Sequence, residues 1–144
     1  MFQSSVLESS CESALYNYQV LNNTINKTSA AQIPLDPNGI AYPCGLVAKS
    51  YFRDEFVLYH NNSHLIPINE TNIANTDDIK YMFKNREDWK TTQWIDMENE
   101  HFMVWMSMMP FNEFKKKWGR IDSTLQPGMY NLTIFNGNIL KKNF

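Results

Sequence analysis

The longest uninterrupted run of apolar side chains, residues 102–106, is far shorter than the ~20 residues that a membrane-spanning helix needs. The other apolar stretches are also short, and turn-forming sequences such as residues 36–39 (DPNG) and 126–128 (QPG) separate them. We therefore expect a fold of short strands and helices that does not itself cross a bilayer.

The composition is that of one globular domain. The chain has 144 residues, of which 43% are hydrophobic, and this argues against intrinsic disorder. Thirteen basic and fifteen acidic residues leave a net charge of −2. No strongly basic surface is predicted, so nucleic acid is not an expected partner. We expect a single domain over residues 1–144.

Two β-rich runs predict a hairpin. Residues 56–59 and 65–68 flank a polar turn at residues 60–64. Pro67 has no N–H group, which places the second strand at the edge of a sheet.

Two further strands are predicted near the end of the chain. Residues 101–106 are apolar at nearly every position, as in a central strand buried on both faces. Residues 129–135 alternate, which predicts a half-buried strand with Asn131 pointing to solvent. Asn136-Gly137 then predicts a hairpin turn.

The sequence indicates helices less clearly than strands. Apolar residues at intervals of three and four predict a helix over residues 7–21, and residues 46–52 could form a helix or a strand. Pro110 and Gly119 suit the two ends of another helix, with a solvated lysine run at residues 115–117. Because predicted strands outnumber helices, we expect a mainly β fold, an antiparallel β-sandwich with short helical insertions.

Five asparagines begin an Asn-x-Ser/Thr sequon, namely Asn22, Asn26, Asn61, Asn69 and Asn131. A sequon is an exposed acceptor of N-glycans in a chain that meets the glycosylation machinery. Residues 1–5 have neither the basic nor the apolar region of a signal peptide. Met1 is thus either the start of a cytosolic protein or the edge of an excerpt, and the sequons favour the excerpt.

Cys11 and Cys44 are compatible with one disulfide in a secreted domain or with two buried thiols in a cytosolic one. In a secreted domain, closing the 33-residue separation would stabilise the fold by about 3.5–4 kcal/mol. The spacing fits neither a CxxC redox motif nor a zinc ligand set. The residues alone leave both alternatives open.

No residue pattern of an enzyme stands out. His60 and His64 lie in a predicted turn, and His101 opens an apolar segment, so neither a metal site nor a catalytic histidine is predicted. Glycine motifs for phosphate binding and the GxSxG motif are absent. The remaining acid–base candidates lie in predicted solvated loops: Asp77, Asp78, Asp96, Glu98 and Glu100. We expect no catalytic residue, no metal and no cofactor.

Five segments resemble the motifs of one family, and they occur in the family's order. Residues 42–56 (YPCGLVAKSYFRDEF) are similar to its "PCG" motif, and residues 73–77 more weakly to its "GIAWxSD". Residues 100–106 (EHFMVWM) and 110–121 (PFNEFKKKWGRI) are similar to "EHFIVWM…LPTFRKLYGRI", and residues 125–134 to "LPxGxYxLNVT". The family comprises the non-catalytic β-subunits of type IV P-type ATPases, the phospholipid flippases, of the ligand-effect-modulator or cell-division-control type.

The resemblance implies a partial lumenal or extracellular ectodomain, whose two flanking membrane helices lie outside this chain. It implies a heterodimer with the catalytic subunit of a type IV P-type ATPase, whose exoplasmic loops the ectodomain binds. The assembly would support exit from the endoplasmic reticulum and lipid translocation, in the endoplasmic reticulum, Golgi, endosomes and plasma membrane.

The resemblance also assigns individual residues. It implies a Cys11–Cys44 disulfide and glycans at Asn131 and Asn61. Arg53 replaces the asparagine of a family sequon, and Asn75 replaces a family tryptophan.

Two other functions stay open on the residues. One is a secreted β-sandwich that binds glycans or acts in adhesion through exposed Trp and Tyr side chains. The other is a small hydrolase, which would need His101 in a cleft within hydrogen-bond reach of a carboxylate.

Overall fold

One antiparallel sheet forms the β part of the molecule. The computed structural model describes residues 11, 14–21, 29, 33–51, 53–108 and 113–136. Its strands are β1 (Glu55–His60), β2 (His64–Ile66) and β3 (Tyr130–Phe135). The order in the sheet is β2-β1-β3, so β1 is central.

The predicted hairpin is confirmed. β1 pairs with β2 from Leu58↔Ile66 to His60↔His64. Asn61 and Asn62 in the turn have φ values of 49° and 62°, which asparagine tolerates better than most residues. β2 lies at the edge of the sheet, as predicted, and Pro67 follows its last residue.

The predicted strand near residue 130 is also confirmed. β3 pairs with β1 over six residues, from Glu55↔Phe135 to His60↔Tyr130. Leu132 and Ile134 share a face with Leu58 and Phe56 because directly opposed residues point the same way. They remain 54% and 56% exposed, more than a half-buried strand predicts. Gly137 of the predicted hairpin turn lies outside the described residues.

The helices are short. In the described ranges they are α1 (Asn17–Val20), α2 (Leu46–Lys49), α3 (Trp89–Thr92) and α4 (Glu100–Met106), with one π-helical turn at Asp78–Met82. None of the helices in these ranges is long and apolar enough to cross a membrane. The open choice at residues 46–52 is settled, because its first part is α2.

The strand predicted at residues 101–106 is wrong, because this segment is helix α4. The Asn99 side chain accepts a hydrogen bond from the N–H of Phe102 at 3.2 Å and caps the first turn. Phe102 and Met103 are buried, whereas Val104, Trp105 and Met106 are half-buried. An apolar run without a period does not distinguish a short helix from a buried strand.

The helix predicted between Pro110 and Gly119 is wrong over residues 113–119, which are irregular. Residues 109–112 lie outside the described part. The Trp118 ring packs on that of Phe56, with centroids 4.6 Å apart, and Arg120 forms an isolated β-bridge with Asn69. These contacts with distant segments replace those within a helix.

The helix predicted over residues 7–21 is too long. Within its described part, Tyr16 is extended and bridges Ile40, so α1 begins only at Asn17. The Gln19 side chain accepts hydrogen bonds from the N–H groups of Leu15 and Tyr16, each at 2.9 Å. Residues 1–10, 12 and 13 lie outside the described ranges.

The core centres on Phe102, which is fully buried. Its ring meets those of Tyr51, Phe83 and Trp94 edge to face, with centroids 5.3, 6.3 and 6.4 Å apart. The core therefore lies beside α4.

The predicted β-sandwich is corrected by this arrangement. The described residues form one open three-stranded sheet with helices, a mixed α and β fold. The prediction counted residues 101–106 as a strand, but as helix α4 they supply the core around Phe102 and Met103 instead.

Candidate functional site: a clamped loop and the cavity beside it

Glu100, in the first turn of α4, holds a distant loop. Its carboxylate accepts hydrogen bonds from the N–H groups of Asn72 at 3.0 Å, Ile73 at 2.7 Å and Ala74 at 3.0 Å. Asn72 has a φ of 55°, and such a backbone turns successive N–H groups towards one anion. We call this contact between Glu100 and residues 72–74 the clamp.

The clamp favours the ionised form of Glu100. Burial raises the pKa of Glu100, but the hydrogen bonds from the loop, with the nearby charge of His101, outweigh it. The net effect places its pKa below the usual 4.5.

His101 ties the same loop to the sheet. Its Nε2 lies 2.9 Å from Oε2 of Glu70. Its ring lies 4.1 Å, centroid to centroid, from that of Trp118, which in turn packs on Phe56 of β1. Glu100 and His101 therefore join α4, the loop and β1 into one unit.

Asn69 fastens the other end of the loop. Its backbone exchanges two hydrogen bonds with Arg120, of 2.8 and 2.9 Å, and its Nδ2 donates to Asp122 at 2.6 Å. Hydrogen bonds from Asn69 and Arg120 lower the pKa of Asp122. Thr71 donates to the Asn69 Oδ1 through both its N–H and its hydroxyl.

A cavity of about 390 Å³ opens beside His101. Its aromatic walls are Tyr51, Trp89, Trp94 and Trp118. Its polar lining comprises four carboxylates, one guanidinium, one amide and one imidazole: Asp54, Glu55, Glu70, Asp96, Arg53, Asn99 and His101.

The cavity meets one condition for a hydrolase, since His101 lines it and contacts the Glu70 carboxylate. Its lining among the described residues offers four carboxylates, but no Ser, Thr or Cys, as a nucleophile. Burial raises the pKa of Tyr51, against the effect of Arg53, so this hydroxyl stays protonated at neutral pH.

Metal-binding groups are not assembled in the part of the chain that the structure describes, where no three His, Cys, Asp or Glu side chains could hold an ion. His60 and His64 oppose each other across β1 and β2, and the His60 ring stacks on Tyr130.

Cys11 and Cys44 form a disulfide, with Cα atoms 5.5 Å apart. Two backbone hydrogen bonds accompany it, from Gly45 to Ala14 at 3.0 Å and from Ala41 to Leu15 at 2.7 Å. Residues 14–15 are thereby held against residues 41–45.

Two predicted glycan acceptors lie at one end of the sheet. Asn61, in the β1–β2 turn, and Asn131, on β3, are both exposed. The Asn131 side chain donates to that of Asn62. Asn69 is half-buried in the β-bridge with Arg120, whereas Asn22 and Asn26 lie outside the described residues.

Comparison with known proteins identifies the family. The sequence model of the LEM3 (ligand-effect modulator 3) family / CDC50 family matches residues 4–138. The chain belongs to this family. ALA-interacting subunit 3 of Arabidopsis thaliana is 32% identical over 117 residues, covering 66% of this chain and 33% of that protein. Putative ALA-interacting subunit 2 of the same plant is 29% identical over 120 residues, covering 70% and 33%. The chain spans about a third of the length of these curated relatives.

Four of the five segments that resemble the CDC50 family meet at the clamp and the cavity beside it. Residues 100–106 supply Glu100 and His101, and residues 73–77 supply two of the three N–H groups that Glu100 binds. Residues 110–121 supply Trp118, and residues 42–56 supply one side of the cavity.

Two contacts of the site escaped sequence reasoning. The sequence pattern predicts a solvated loop at Glu100, although Asn99 followed by an acidic residue is the start signal of a helix. Lys116 belongs to the lysine run predicted to be solvated, but its Nζ donates to the carbonyls of Trp105 and Ser107 at the end of α4. Burial lowers the pKa of Lys116. No local pattern indicates this second contact.

Proposed function

We propose that this chain is part of the ectodomain of a non-enzymatic accessory subunit of a type IV P-type ATPase, a phospholipid flippase. It binds exoplasmic loops of the catalytic subunit and supports exit from the endoplasmic reticulum, stability and lipid translocation. Membership of the CDC50 family carries this proposal. The names of the relatives, which describe interacting subunits, support it.

The geometry suits binding better than catalysis. The clamp, the His101–Glu70 contact and the Trp118–Phe56 contact fix one loop relative to a helix and a strand. A surface that is ordered before binding loses less conformational entropy in a complex. We propose that this ordered region faces the partner.

We further propose a lumenal or extracellular location, in the endoplasmic reticulum, Golgi, endosomes and plasma membrane. The Cys11–Cys44 disulfide supports it, because disulfides persist in oxidising compartments. The exposed sequons at Asn61 and Asn131 agree with the same compartments.

Co-purification tests the proposal. The full-length gene product that contains this segment is expressed with a tag in its native cells and captured, and co-eluting proteins are identified by mass spectrometry. A type IV P-type ATPase is the expected partner, and its absence from the captured complex would contradict the proposal.

A matched pair of variants tests the role of the clamp. Glu100→Ala removes the anchor of the loop, and recovery of the ATPase should fall severalfold. Glu87→Ala, at an exposed carboxylate with no hydrogen bond among the described residues, should leave recovery unchanged. Thermal unfolding of both variants separates loss of the interface from loss of the fold.

A further inference from the structure

We propose that the cavity between Trp89, Trp118 and His101 is a binding site for a neutral saccharide in its pyranose form. This activity is independent of the proposed accessory function. The volume of about 390 Å³ falls in the range of about 300–1,000 Å³ that is usual for small-molecule sites.

The aromatic walls suit one face of a sugar ring. A pyranose ring presents C–H groups on its faces and hydroxyl groups around its edge. Aromatic rings bury such apolar faces, and Tyr and Trp combine an apolar body with a polar group. Four aromatic side chains line this cavity. One of them, Trp94, is only 8% exposed, and its Nε1–H group donates a hydrogen bond to the Pro43 carbonyl at 2.7 Å. The half-buried Tyr51, Trp89 and Trp118 are the surfaces left for a ligand.

The polar lining suits the edge of the ring. A sugar hydroxyl is both a donor and an acceptor, so its site needs groups of both kinds. Arg53 and the Asn99 amide nitrogen are donors, and Glu55 is an acceptor. These three groups make no side-chain hydrogen bond or ion pair of their own in the described ranges, apart from the Asn99 oxygen that caps α4. Bonds that involve a charged group are the stronger ones.

The charges of the lining disfavour an anionic ligand. Four carboxylates and one guanidinium line the cavity, so an anionic sugar would meet net repulsion. The hydroxyl groups of a neutral polyhydroxyl ligand can donate hydrogen bonds to the carboxylates and accept them from Arg53.

Tryptophan NMR provides the test. The purified chain is titrated with methyl glucoside, methyl mannoside, methyl galactoside and methyl N-acetylglucosaminide, and the four indole N–H signals are followed. Signals of Trp89 and Trp118 should shift with at least one glycoside. Trp105 lies outside the cavity and bonds Val47 through its indole N–H at 2.9 Å, so its signal is the internal reference. No shift with any glycoside before or after endoglycosidase treatment, or equal shifts at all four signals, would overturn the proposal.

Variants of the cavity make the test specific. Trp89→Ala and Glu55→Gln should each weaken binding at least tenfold. Tyr81→Ala removes an aromatic ring that is 75% exposed outside the cavity and should leave binding unchanged. Unchanged remaining indole signals report that a variant is folded, and a folded Trp89→Ala chain with undiminished binding would overturn the proposal. Methyl glucuronide should bind at least tenfold more weakly than methyl glucoside, and equal binding would refute a neutral ligand.

The source of the saccharide is tested in the same titration. If the cavity holds a glycan of this chain, added glycoside should shift the signals only after endoglycosidase treatment. If it takes an external saccharide, treated and untreated chains should respond alike. Either response supports the site, and a response in neither sample refutes it.

Discussion

At the scale of single residues, Glu100 does more than its place in a charged sequence suggests. One carboxylate satisfies three backbone N–H groups of a loop 26 to 28 residues earlier in the chain. Without it, these groups would have to find water or remain unpaired, which costs free energy where access to water is limited.

Replacing Glu100 with Gln should lower the free energy of unfolding. The variant keeps the shape but loses the charge and one acceptor oxygen, and we expect a loss of about 1–2 kcal/mol for this partly exposed group. Urea denaturation measures it. Glu98→Gln is the matched control because its contacts, Asn85 N at 3.5 Å and Lys84 at 3.8 Å, are long, so its loss should be below about 0.5 kcal/mol.

Glu100 should also make the free energy of unfolding depend on pH. The folded-state pKa of Glu100 lies below its unfolded value of about 4.5. Its stabilisation is therefore complete above that value and is lost as pH falls through the folded pKa. The difference in unfolding free energy between wild type and Glu100→Gln should shrink as the pH falls from 7 to below 4.5 and through the folded-state pKa. A constant difference would contradict it.

Glycosylation is predicted at two residues. Expressed through a secretory pathway, the chain should carry glycans at Asn61 and Asn131, which are exposed. Asn61→Gln and Asn131→Gln should each remove one glycan, as seen by glycopeptide mass spectrometry. Asn62→Gln preserves both sequons and should remove none.

At the scale of elements, the core and the clamp both depend on α4 being a helix and not a strand. A strand buried on both faces would bury all of residues 102–106, but the helix buries Phe102 and Met103 fully and its other side only in part. Its N-terminal end carries the clamp, and its C-terminal end accepts the Lys116 ammonium, which suits the negative end of a helix dipole.

Two methionines test the packing of α4. Met103 is 1% exposed, and Met103→Ala should cost about 2–5 kcal/mol because it leaves a cavity. Met108, just beyond the helix, is 93% exposed, and Met108→Ala should change stability by less than about 0.5 kcal/mol. Similar losses in the two variants, measured by thermal or urea unfolding, would argue against this packing.

At the scale of the whole molecule, some elements of the fold can be predicted from the sequence and others cannot. The hairpin and β3 were predictable because Asn-rich turns and alternation are local signals. The type of α4 and the irregular path of residues 113–119 were not, since both depend on contacts with loop and sheet. In the site, His101 and the cysteines are recognisable as candidates from their residue types alone. The clamp is not, because it depends on the positive φ of Asn72.

The disulfide gives a prediction at this scale. Cys11 and Cys44 are 33 residues apart, and opening that loop should lower the free energy of unfolding by about 3.5–4 kcal/mol. Urea denaturation with and without a reductant measures the loss. A Cys11→Ser, Cys44→Ser double variant should start at the lower value and not respond to the reductant.

Glu100 and His101 are consecutive residues, yet they reach opposite ends of the segment 70–74. A displacement of this segment would therefore also displace the first turn of α4 and, through Trp118, strand β1. We expect that a protein bound to residues 70–74 would restrain the helix and the strand together.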